Sequence, residues 1–346
     1  MDLPVVPPVA PMLAVLTREV PEGDWYYEPK WDGFRCIVFR SGDEVVLGSR
    51  NERPLTRYFP EMVEALKSRL PQRCVIDGEL VIAGEHGLDF DLLSQRIHPA
   101  ASRVNMLART MPSDFIAFDL LALGHEDLRG ATFSTRRAAL EGALEDVTAP
   151  VHITPITRDP ATARQWFVEF EGAGLDGVVA KPADLPYLEG KRVMRKIKHQ
   201  RTAEFVVAGF RWYKADRSAV GSLLLGLYRG DELDHVGVIG AFPAEQRRQI
   251  LEVLDPYRQP VDHPWAAWSD VGGGASRWNA NKDLSFELLA PDLVVEATYE
   301  HLQGRRLRHT AQFVRWRPDR DPRSATFEQL DVAVPALLSE VLVARG

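Results

Sequence analysis

A lysine and a carboxylate stand close together near the start of the chain, at Lys30 and Asp32. Gly33 follows them and favours a turn, and an apolar segment typical of a β-strand comes next. An amine beside a carboxylate is the combination that carries nucleophilic or metal-assisted chemistry. Alone the pattern is weak evidence, because Lys-x-Asp-Gly is expected by chance in about one chain in ten of this length. A surface turn would explain it equally well.

Further polar groups recur along the chain on segments that are otherwise apolar. Residues i and i+2 of an extended strand lie on one face, so Asp77 should share a face with Glu79. Lys196 should likewise share a face with Lys198, while Ile197 faces the core. A structural ion pair would explain each pair alone, but six polar groups in one region favour a shared ligand. The six lie at residues 28–35, 49–51, 77–79, 118–119, 176–181 and 196–198.

This ordered set resembles the nucleotidyltransferase motifs of ATP-dependent DNA ligases, across roughly residues 1–200. Residues 313–320, Phe-Val-Arg-Trp-Arg-Pro-Asp-Arg, resemble the last motif of that family, which lies on a β-barrel domain. The position of Lys30 and the phrase Pro-Met-Leu-Ala at residues 11–14 are most similar to the short bacterial ligases of the C and D types.

The resemblance implies a role for each matching side chain. It makes Lys30 the nucleophile that attacks the α-phosphate of ATP and carries AMP covalently. It makes Glu28 the acceptor for the adenine amino group and Phe118 the ring that stacks on the purine. The other implied nucleotide contacts are Arg35, Arg50, Glu79, Lys181, Lys196 and Lys198. The implied ligands of Mg²⁺ or Mn²⁺ are Asp32, Glu79 and Asp176. The implied contacts to DNA or pyrophosphate are Arg192, Arg315, Arg317, Asp319 and Arg320.

An ordinary lysine has a pKa of about 10.4, so it is almost wholly protonated at neutral pH and cannot attack phosphorus. The resemblance therefore implies that Lys181, Lys196 and Lys198, together with a bound divalent metal, disfavour the ammonium form of the nucleophile. Two residues depart from the usual family pattern. Asp176 stands where Glu is usual, and Arg320 stands where Lys is usual. Both keep the charge, so they bear on metal distance and pyrophosphate orientation rather than on the reaction type.

The apolar pattern predicts an α+β protein of two domains. The chain has 346 residues and is 45% hydrophobic, enough for two separate cores. Residues 1–200 mix predicted strands and helices, as the resemblance implies for an ATP-grasp-like nucleotidyltransferase (adenylation) domain. Residues 201–346 contain about five short strands with a helix between the third and fourth, which is typical of an OB-fold β-barrel. Strands are predicted at 36–39, 45–47, 74–82, 115–121, 177–181, 204–210, 222–229, 235–240, 293–301 and 311–316. Helices are predicted at 60–70, 134–144, 161–171 and 244–254.

The formal net charge of −7 is unusual for a DNA-binding protein, because affinity for the phosphate backbone comes from Lys and Arg. The basic residues are concentrated at 191–217 and 305–320. Either run alone is usually a solvated face, but two domains closing as a clamp would present both runs to a duplex. Candidate base-stacking residues are Trp212, Tyr213, Trp265, Trp268 and Trp278, although packing at a domain edge is the more common explanation. Residues 268–282 are glycine-rich and predict a loop, not a phosphate-binding loop.

The two cysteines, Cys36 and Cys74, are too few for a disulfide framework, and both lie in apolar segments. No stretch approaches the roughly 18 unbroken apolar residues of a membrane span. We therefore expect a cytoplasmic monomer with reduced thiols and no membrane partner. The resemblance implies nicked duplex DNA as the substrate, DNA-repair proteins as candidate partners, and a role in DNA repair, replication or recombination.

Several other classes are compatible with part of this pattern. RNA ligases and GTP-dependent mRNA-capping guanylyltransferases share Lys-x-Asp-Gly, but the Arg-x-Arg-x-Asp ending and the Phe-Asp-Leu-Leu phrase at 118–121 favour a DNA ligase. A catalytically silent DNA-end binding module would have lost the lysine or the carboxylates, which are all present. A phosphate-loop ATPase lacks its glycine signature here, and the nine histidines form no cluster with metal-ligand spacing.

Overall fold

The computed structural model describes residues 1–51, 53–84, 87–213, 217–258, 260–269, 285–300, 302–330 and 338–343. The chain divides into two compact units, Met1–Lys198 with Ala333–Gly346, and His199–Val332. Trp278, the side chain of Trp268 and residues 270–282 of the predicted loop lie outside the described residues, as do residues 214–216 of the first basic run.

The first unit is built on two β-sheets. In chain order its strands are β1 Leu13–Thr17, β2 Trp25–Pro29, β3 Phe34–Ser41, β4 Glu44–Ser49, β5 Arg73–Val81, β6 Ala83–Gly84, β7 Gly87–Leu88, β8 Asp114–Leu123, β9 Glu126–Asp127, β10 Val151–Ile153, β11 Gly177–Pro182 and β12 Arg192–Lys198. One sheet has the order β1-β12-β11-β2. The other has the order β10-β8-β5-β3-β4, with β9 beside β8, and β6 pairs separately with β7.

Helices accompany these sheets, and most of them begin with a capping side chain or with a proline, which lacks the N–H that would be left unbonded. They are α1 Pro60–Arg69, α2 Phe90–Gln95, α3 Ala101–Thr110, α4 Phe133–Ala143 and α5 Pro160–Glu169. Asp89, Thr132 and Asp159 accept hydrogen bonds from backbone N–H groups of the first turns of α2, α4 and α5. None of the helices within the described ranges is long and apolar enough to cross a membrane.

Alternating side chains of each strand reach different cores, as the period of two requires. Ile37 and Phe39 of β3 pack with Met194 of β12 between the two sheets. Cys36 and Val38 point the other way, into a second core covered by α1 and α4. The inner faces of the two sheets therefore pack on each other, and the polar side chains on those faces must share the same space.

Several predicted elements of the first unit are confirmed. The β3–β4 hairpin turns at residues 42–43, and α1, β5, β8, α4, α5 and β11 overlap the predicted segments. The predictions missed β1, β10, α2 and α3, and β12 begins at Arg192 rather than near Lys196. β1 pairs in parallel with β12, almost two hundred residues away in sequence, with Leu16 opposite Lys196. Such a strand depends on a distant partner, which a local pattern does not reveal.

The second unit is a five-stranded barrel, which confirms the predicted OB-fold. Its strands are β13 Arg201–Trp212, β14 Val220–Arg229, β15 Glu232–Ile239, β16 Glu287–Tyr299, β17 Leu302–Gln303, β18 Arg306–Leu307 and β19 Gln312–Trp316, with helices α6 Ala244–Leu254 and α7 Ala266–Ser269. The barrel order is β15-β14-β13-β16-β19, and β17 pairs with β18. A parallel bridge between Ile239 and Ala311 joins its two edges. Helix α6 follows the third barrel strand, where the sequence predicts it.

The C-terminal helix lies in a different unit from the one that the sequence predicts. The sequence predicts a second domain over residues 201–346, but helix α8, Leu338–Val343, belongs to the first unit. Val341 is fully buried there and packs in one cluster with Trp31 and Phe170. The physical reason is that its apolar side chains cover an apolar cluster of the first unit, a contact that the local helical pattern does not reveal.

Two fully buried arginines hold helices of the first unit in place, one against the second sheet and one against α1. Arg136 of α4 forms a bidentate pair with Asp119 of β8, with Nε–Oδ1 at 2.7 Å and Nη2–Oδ2 at 3.0 Å. Arg96 is paired with Glu61 of α1 in the same way, at 2.6 and 2.8 Å. Removing one partner of such a pair leaves an uncompensated buried charge, which costs far more than the pair itself contributes.

We expect Arg136→Met to lower the free energy of unfolding by roughly 3–5 kcal/mol, because Asp119 would remain buried without its cation. Urea unfolding followed by circular dichroism measures the change. The matched control is Arg129→Met, which breaks partly exposed pairs with Asp127 and Glu189, each of which should contribute less than about 1 kcal/mol. Equal losses in the two variants would contradict this account of the buried pair.

Candidate active site

A cleft of about 180 Å³ lies in the first unit, lined by residues of both sheets. It brings together the predicted nucleophile Lys30, the predicted DNA or pyrophosphate contact Arg192, and most of the predicted nucleotide-binding residues. The latter are Glu28, Arg35, Arg50, Glu79, Phe118, Lys181 and Lys196. Its other lining residues are Pro11, Met12, Leu13, Ala14, Pro29, Trp31, Val179 and Met194, to which the sequence assigned no role. Most of this second group is apolar, so only the 11–14 phrase could have indicated it. The cleft thus combines a polar part with an apolar wall.

Backbone pairing places Asp176 beside Lys30. The Lys30 amide donates to the carbonyl of Gly177 at 2.8 Å, and the Asp176 amide donates to the carbonyl of Lys30 at 3.1 Å. The side chains then meet, with Lys30 Nζ at 2.7 Å from Asp176 Oδ2. Lys198 Nζ lies 3.2 Å from the same oxygen. Asp176 and Lys198 do not line the cleft, but they contact the lysine that does.

Two glycines near Lys30 are required by close backbone packing. A Cβ at Gly33 would lie 2.0 Å from the carbonyl oxygen of Leu80, so β3 could not pair this closely with β5. A Cβ at Gly177 would lie 2.0 Å from the carbonyl oxygen of Ile197, and its φ of +136° also disfavours other residues. The sequence suggested a turn at Gly33, whereas the structure shows a requirement for space.

Asp77 holds Arg35 on the inner face of the second sheet. The two form a bidentate pair at 2.5 and 2.6 Å, and the hydroxyl of Tyr187 donates to the same carboxylate at 2.7 Å. Burial acts to lower the pKa of Arg35, but the Asp77 carboxylate outweighs it and the pKa is raised. Glu79 shares this face as expected, yet Asp77 is committed to the arginine. Asp77 thus orients an arginine of the cleft, a role that the sequence pattern does not predict.

Phe118 projects into the cleft from an irregularity in β8. The pairing of β5 with β8 passes from Asp119 to Ala117 without Phe118, which is the pattern of a β-bulge and can re-aim a side chain. The guanidinium of Arg35 lies 4.5 Å from the ring centre, and Lys181 Nζ lies 4.8 Å from it. Asp119 is buried and paired with Arg136. Of the two residues in this motif, only Phe118 lines the cleft.

Glu28 is a buried carboxylate at the cleft wall. Its Oε2 lies 2.7 Å from Lys181 Nζ, and its Oε1 lies 3.8 Å from Nη1 of Arg137. Burial raises the pKa of Glu28, and the charges of Lys181 and Arg137 oppose that rise. Arg137 was not predicted as a site residue, because an arginine on a helix ordinarily indicates a solvated face.

The three carboxylates that the resemblance implies as metal ligands lie in three different environments. The described ranges contain no group of three or more His, Cys, Asp or Glu side chains arranged to hold a metal ion. Asp176 contacts Lys30 and Lys198, Asp32 is 9% exposed, and Glu79 lines the cleft. Burial raises the pKa of Glu79 to about 7, against the charges of Arg35 and Lys30. The carboxylates therefore do not form a ready-made cluster.

The residues of the last motif lie on the barrel, around two neighbouring carboxylates. Glu204 of β13 is opposite Glu296 of β16. Arg317 and Arg320 pair with Glu204, the latter at 2.6 Å, and Arg315 pairs with Glu296 at 2.7 Å. Asp319 accepts two hydrogen bonds from Arg317, at 2.9 and 2.8 Å, which lower the pKa of Asp319 to about 2. The motif is thus an ordered ion-pair network.

The aromatic residues considered for base stacking lie on the barrel, in different environments. Trp265 is 5% exposed and donates to the carbonyl of Leu233 at 2.7 Å. Trp212 donates to Glu287 at 2.7 Å. Tyr213 is 40% exposed. Packing therefore accounts for the two tryptophans, as the more common explanation expects.

Two protein-family models match the chain, the ATP dependent DNA ligase domain over residues 11–198 and the ATP dependent DNA ligase C terminal region over residues 216–320. The chain is 57% identical to DNA ligase C of Mycobacterium tuberculosis, with 99% of each chain covered. It is 60% identical to DNA ligase C2 of Mycolicibacterium smegmatis, with 96% of each chain covered. A solved structure of a Lig E DNA ligase has the same fold, with a TM-score of 0.57 and 16% identity over 89% of this chain and 100% of that one. The chain therefore belongs to the family of ATP-dependent DNA ligases.

Proposed function

We propose that this chain seals breaks in duplex DNA with ATP and carries AMP covalently on Lys30 as an intermediate. The observation that carries the proposal is the cleft of the first unit. In it the Lys30 amine lies with a phenylalanine ring, a buried carboxylate and several cations. A purine nucleotide needs these three kinds of group, for its ring, its amino edge and its phosphates.

In the first step, Nζ of Lys30 attacks the α-phosphorus of ATP, so that a P–N bond forms and the bond to pyrophosphate breaks. The amine must first lose a proton, and Asp176 Oδ2, at 2.7 Å, is placed to hold it. AMP then passes to a 5′-phosphate at a nick, and the adjacent 3′-hydroxyl displaces AMP. Each step is a phosphoryl transfer in which positioning and charge neutralisation supply most of the catalysis.

The nucleotide contacts follow from the chemistry of the lining residues. Phe118 offers a ring face to the purine, and Glu28 offers a carboxylate oxygen to its amino group. The proposed contacts to ribose and phosphates are Arg35, Arg50, Lys181, Lys196 and Lys198. Fixed cations of this kind stabilise charge that grows on the phosphate oxygens, without reorganising during the step.

The donor set fits a Mg²⁺ or Mn²⁺ ion that arrives with the nucleotide. Mg²⁺ commonly uses only one or two protein carboxylates, together with substrate phosphates and water. Glu79 lines the cleft and its pKa is raised to about 7, so a nearby cation would favour the ionised form. We propose that its one or two protein ligands come from among Asp32, Glu79 and Asp176. When bound, the ion would neutralise part of the triphosphate charge.

We assign the barrel arginines to the pyrophosphate of ATP or to the DNA backbone, with Arg320 on the pyrophosphate. Arg317, Asp319 and Arg320 are held by one another and by Glu204, so their orientation is set in advance. Arg192 lines the cleft and is a further candidate for a phosphate. Arg315 extends the same network on β19.

We further propose that the protein acts as a monomer on nicked duplex DNA, in the cytoplasm and with DNA-repair proteins as partners. Each unit has a hydrophobic core of its own, which supports independent folding without a second copy. Cys36 and Cys74 are buried and unpaired, which supports a reducing compartment.

We expect Lys30→Ala to take no covalent label from ATP labelled on the α-phosphate, whereas the wild type takes label that survives denaturing electrophoresis and chases into sealed strands. The control is Lys67→Ala, which removes a helix-surface lysine paired with Glu64 and should label normally. Both proteins are treated with pyrophosphate beforehand to strip any bound AMP. Label from GTP in place of ATP, or label retained by Lys30→Ala, would contradict the proposal.

We expect Arg320→Ala to slow covalent labelling by ATP by roughly tenfold or more, since a hydrogen bond to a charged phosphate would be lost. Sealing of a nick that already carries a 5′-AMP should change little, because pyrophosphate takes no part in that step. Arg323→Ala, which removes a neighbouring exposed arginine paired with Asp231, serves as the control. A larger loss in sealing than in labelling would assign Arg320 to DNA instead.

A further inference from the structure

Two buried polar atoms face each other across the wall of the cleft. Among the described residues, neither Glu28 Oε1 nor Arg137 Nη1 has a hydrogen-bond partner. They lie 3.8 Å apart, too far for a hydrogen bond but close enough for strong electrostatic attraction. Buried polar atoms nearly always have a partner, so such a pair indicates a place where a ligand completes the bonding.

The remaining atoms of both side chains are firmly held. Glu28 Oε2 lies 2.7 Å from Lys181 Nζ. Arg137 donates from Nε to Glu141 at 2.7 Å and from Nη2 to the carbonyl of Thr154 at 2.8 Å. Glu28 is 3% exposed and Arg137 is 5% exposed. The separation of 3.8 Å is therefore set by other contacts, and the carboxylate lies between two cations.

Thr154 connects this pair to the rest of the cleft. Its hydroxyl accepts a hydrogen bond from Trp31 Nε1 at 2.8 Å, and Trp31 directly follows the nucleophile. Its amide donates to the carbonyl of Ala117 at 2.9 Å, the residue before Phe118. Thr154 is thus one buried residue that contacts Arg137, Trp31 beside the nucleophile, and Ala117 beside Phe118.

Glu28 lines the cleft and Arg137 does not, so the arginine can act on a nucleotide only through the carboxylate. An ionised carboxylate accepts hydrogen bonds and donates none. Adenine presents an amino donor at C6, whereas guanine and hypoxanthine present a carbonyl acceptor there. Facing the 6-position, an ionised Glu28 would accept a hydrogen bond from the amino group of adenine and would be repelled by the carbonyl oxygen of guanine or hypoxanthine. A protonated Glu28 could instead donate to that carbonyl.

We propose that Arg137 is a positioning residue for base selection, which keeps Glu28 ionised and aimed so that the cleft takes a 6-aminopurine triphosphate and rejects a 6-oxopurine triphosphate. The inference rests on the role proposed above for Glu28. Each cation acts on one oxygen of the Glu28 carboxylate. Lys181 fixes Oε2, and Arg137 orients Oε1 towards the base.

The test compares the rates of covalent labelling by ATP and by inosine triphosphate, each labelled on the α-phosphate, as a ratio of kcat/KM. Arg137→Gln keeps a donor for the Thr154 carbonyl but loses the charge, and it should lower the ATP preference by roughly tenfold to a hundredfold. The change should lie mainly in KM. Arg137→Lys restores the charge and should recover most of the preference. Thr154→Val retains the carbonyl that holds Arg137, so it should keep the wild-type ratio even if the rate falls.

Circular dichroism verifies that each variant is folded. A folded Arg137→Gln with the wild-type ratio would overturn the inference and leave Arg137 as a structural anchor, with the proposed reaction untouched. A drop in the ratio that Arg137→Lys fails to reverse would also overturn it, because shape rather than charge would then decide. A wild type that takes no label from ATP would overturn the proposed function itself, and the inference with it.

Discussion

The burial of charged side chains between two packed β-sheets is the constraint on which the first unit depends. A buried ion is costly unless an opposite charge and hydrogen bonds compensate it. Arg35 is therefore locked to Asp77, and Lys181 to Glu28, in contacts of 2.5 to 2.7 Å. These pairs orient the cations of the cleft, and Lys181 also donates to the carbonyl of Phe118 at 3.2 Å. Preorganised charge of this kind is what a phosphoryl-transfer site requires, because nothing has to reorient during the step.

In the barrel, two carboxylates are the charges that need compensation, and arginines supply it. Glu204 and Glu296 lie opposite each other on neighbouring strands, where two like charges would repel. Arg317, Arg320 and Arg315 surround them and also make up the motif near the C-terminal end. An arginine that shares a carboxylate with another arginine keeps N–H groups for a phosphate, and its guanidinium is already oriented. In both units, acidic residues orient the basic ones, so a net charge of −7 is compatible with binding polyanions.

Much of the fold could be predicted from sequence, because the relevant signals are local. The β3–β4 hairpin follows from two apolar runs around Gly42, and the barrel follows from short strands interrupted by one helix. The shared face of Asp77 and Glu79 follows from the period of a strand. What could not be predicted depends on distant partners. Asp77 and Glu79 look equivalent in sequence. Only the structure shows that Asp77 is paired with Arg35. The docking of α8 and the buried position of Arg137 are of the same kind.

The shorter carboxylate at Asp176 illustrates how the backbone can compensate for a change in side chain. The resemblance leads one to expect glutamate, which has one more methylene group. Here the reciprocal backbone bonds of Lys30 with Gly177 and Asp176 bring the two main chains together, and Gly177 allows this by packing against the Ile197 carbonyl. The aspartate side chain is only 4% exposed, so an added methylene would have to displace neighbours in a packed site. With the strands this close, the shorter side chain already reaches Lys30 and Lys198 through a single oxygen. The aspartate therefore makes the charge contact with Lys30 and Lys198 without an additional methylene group.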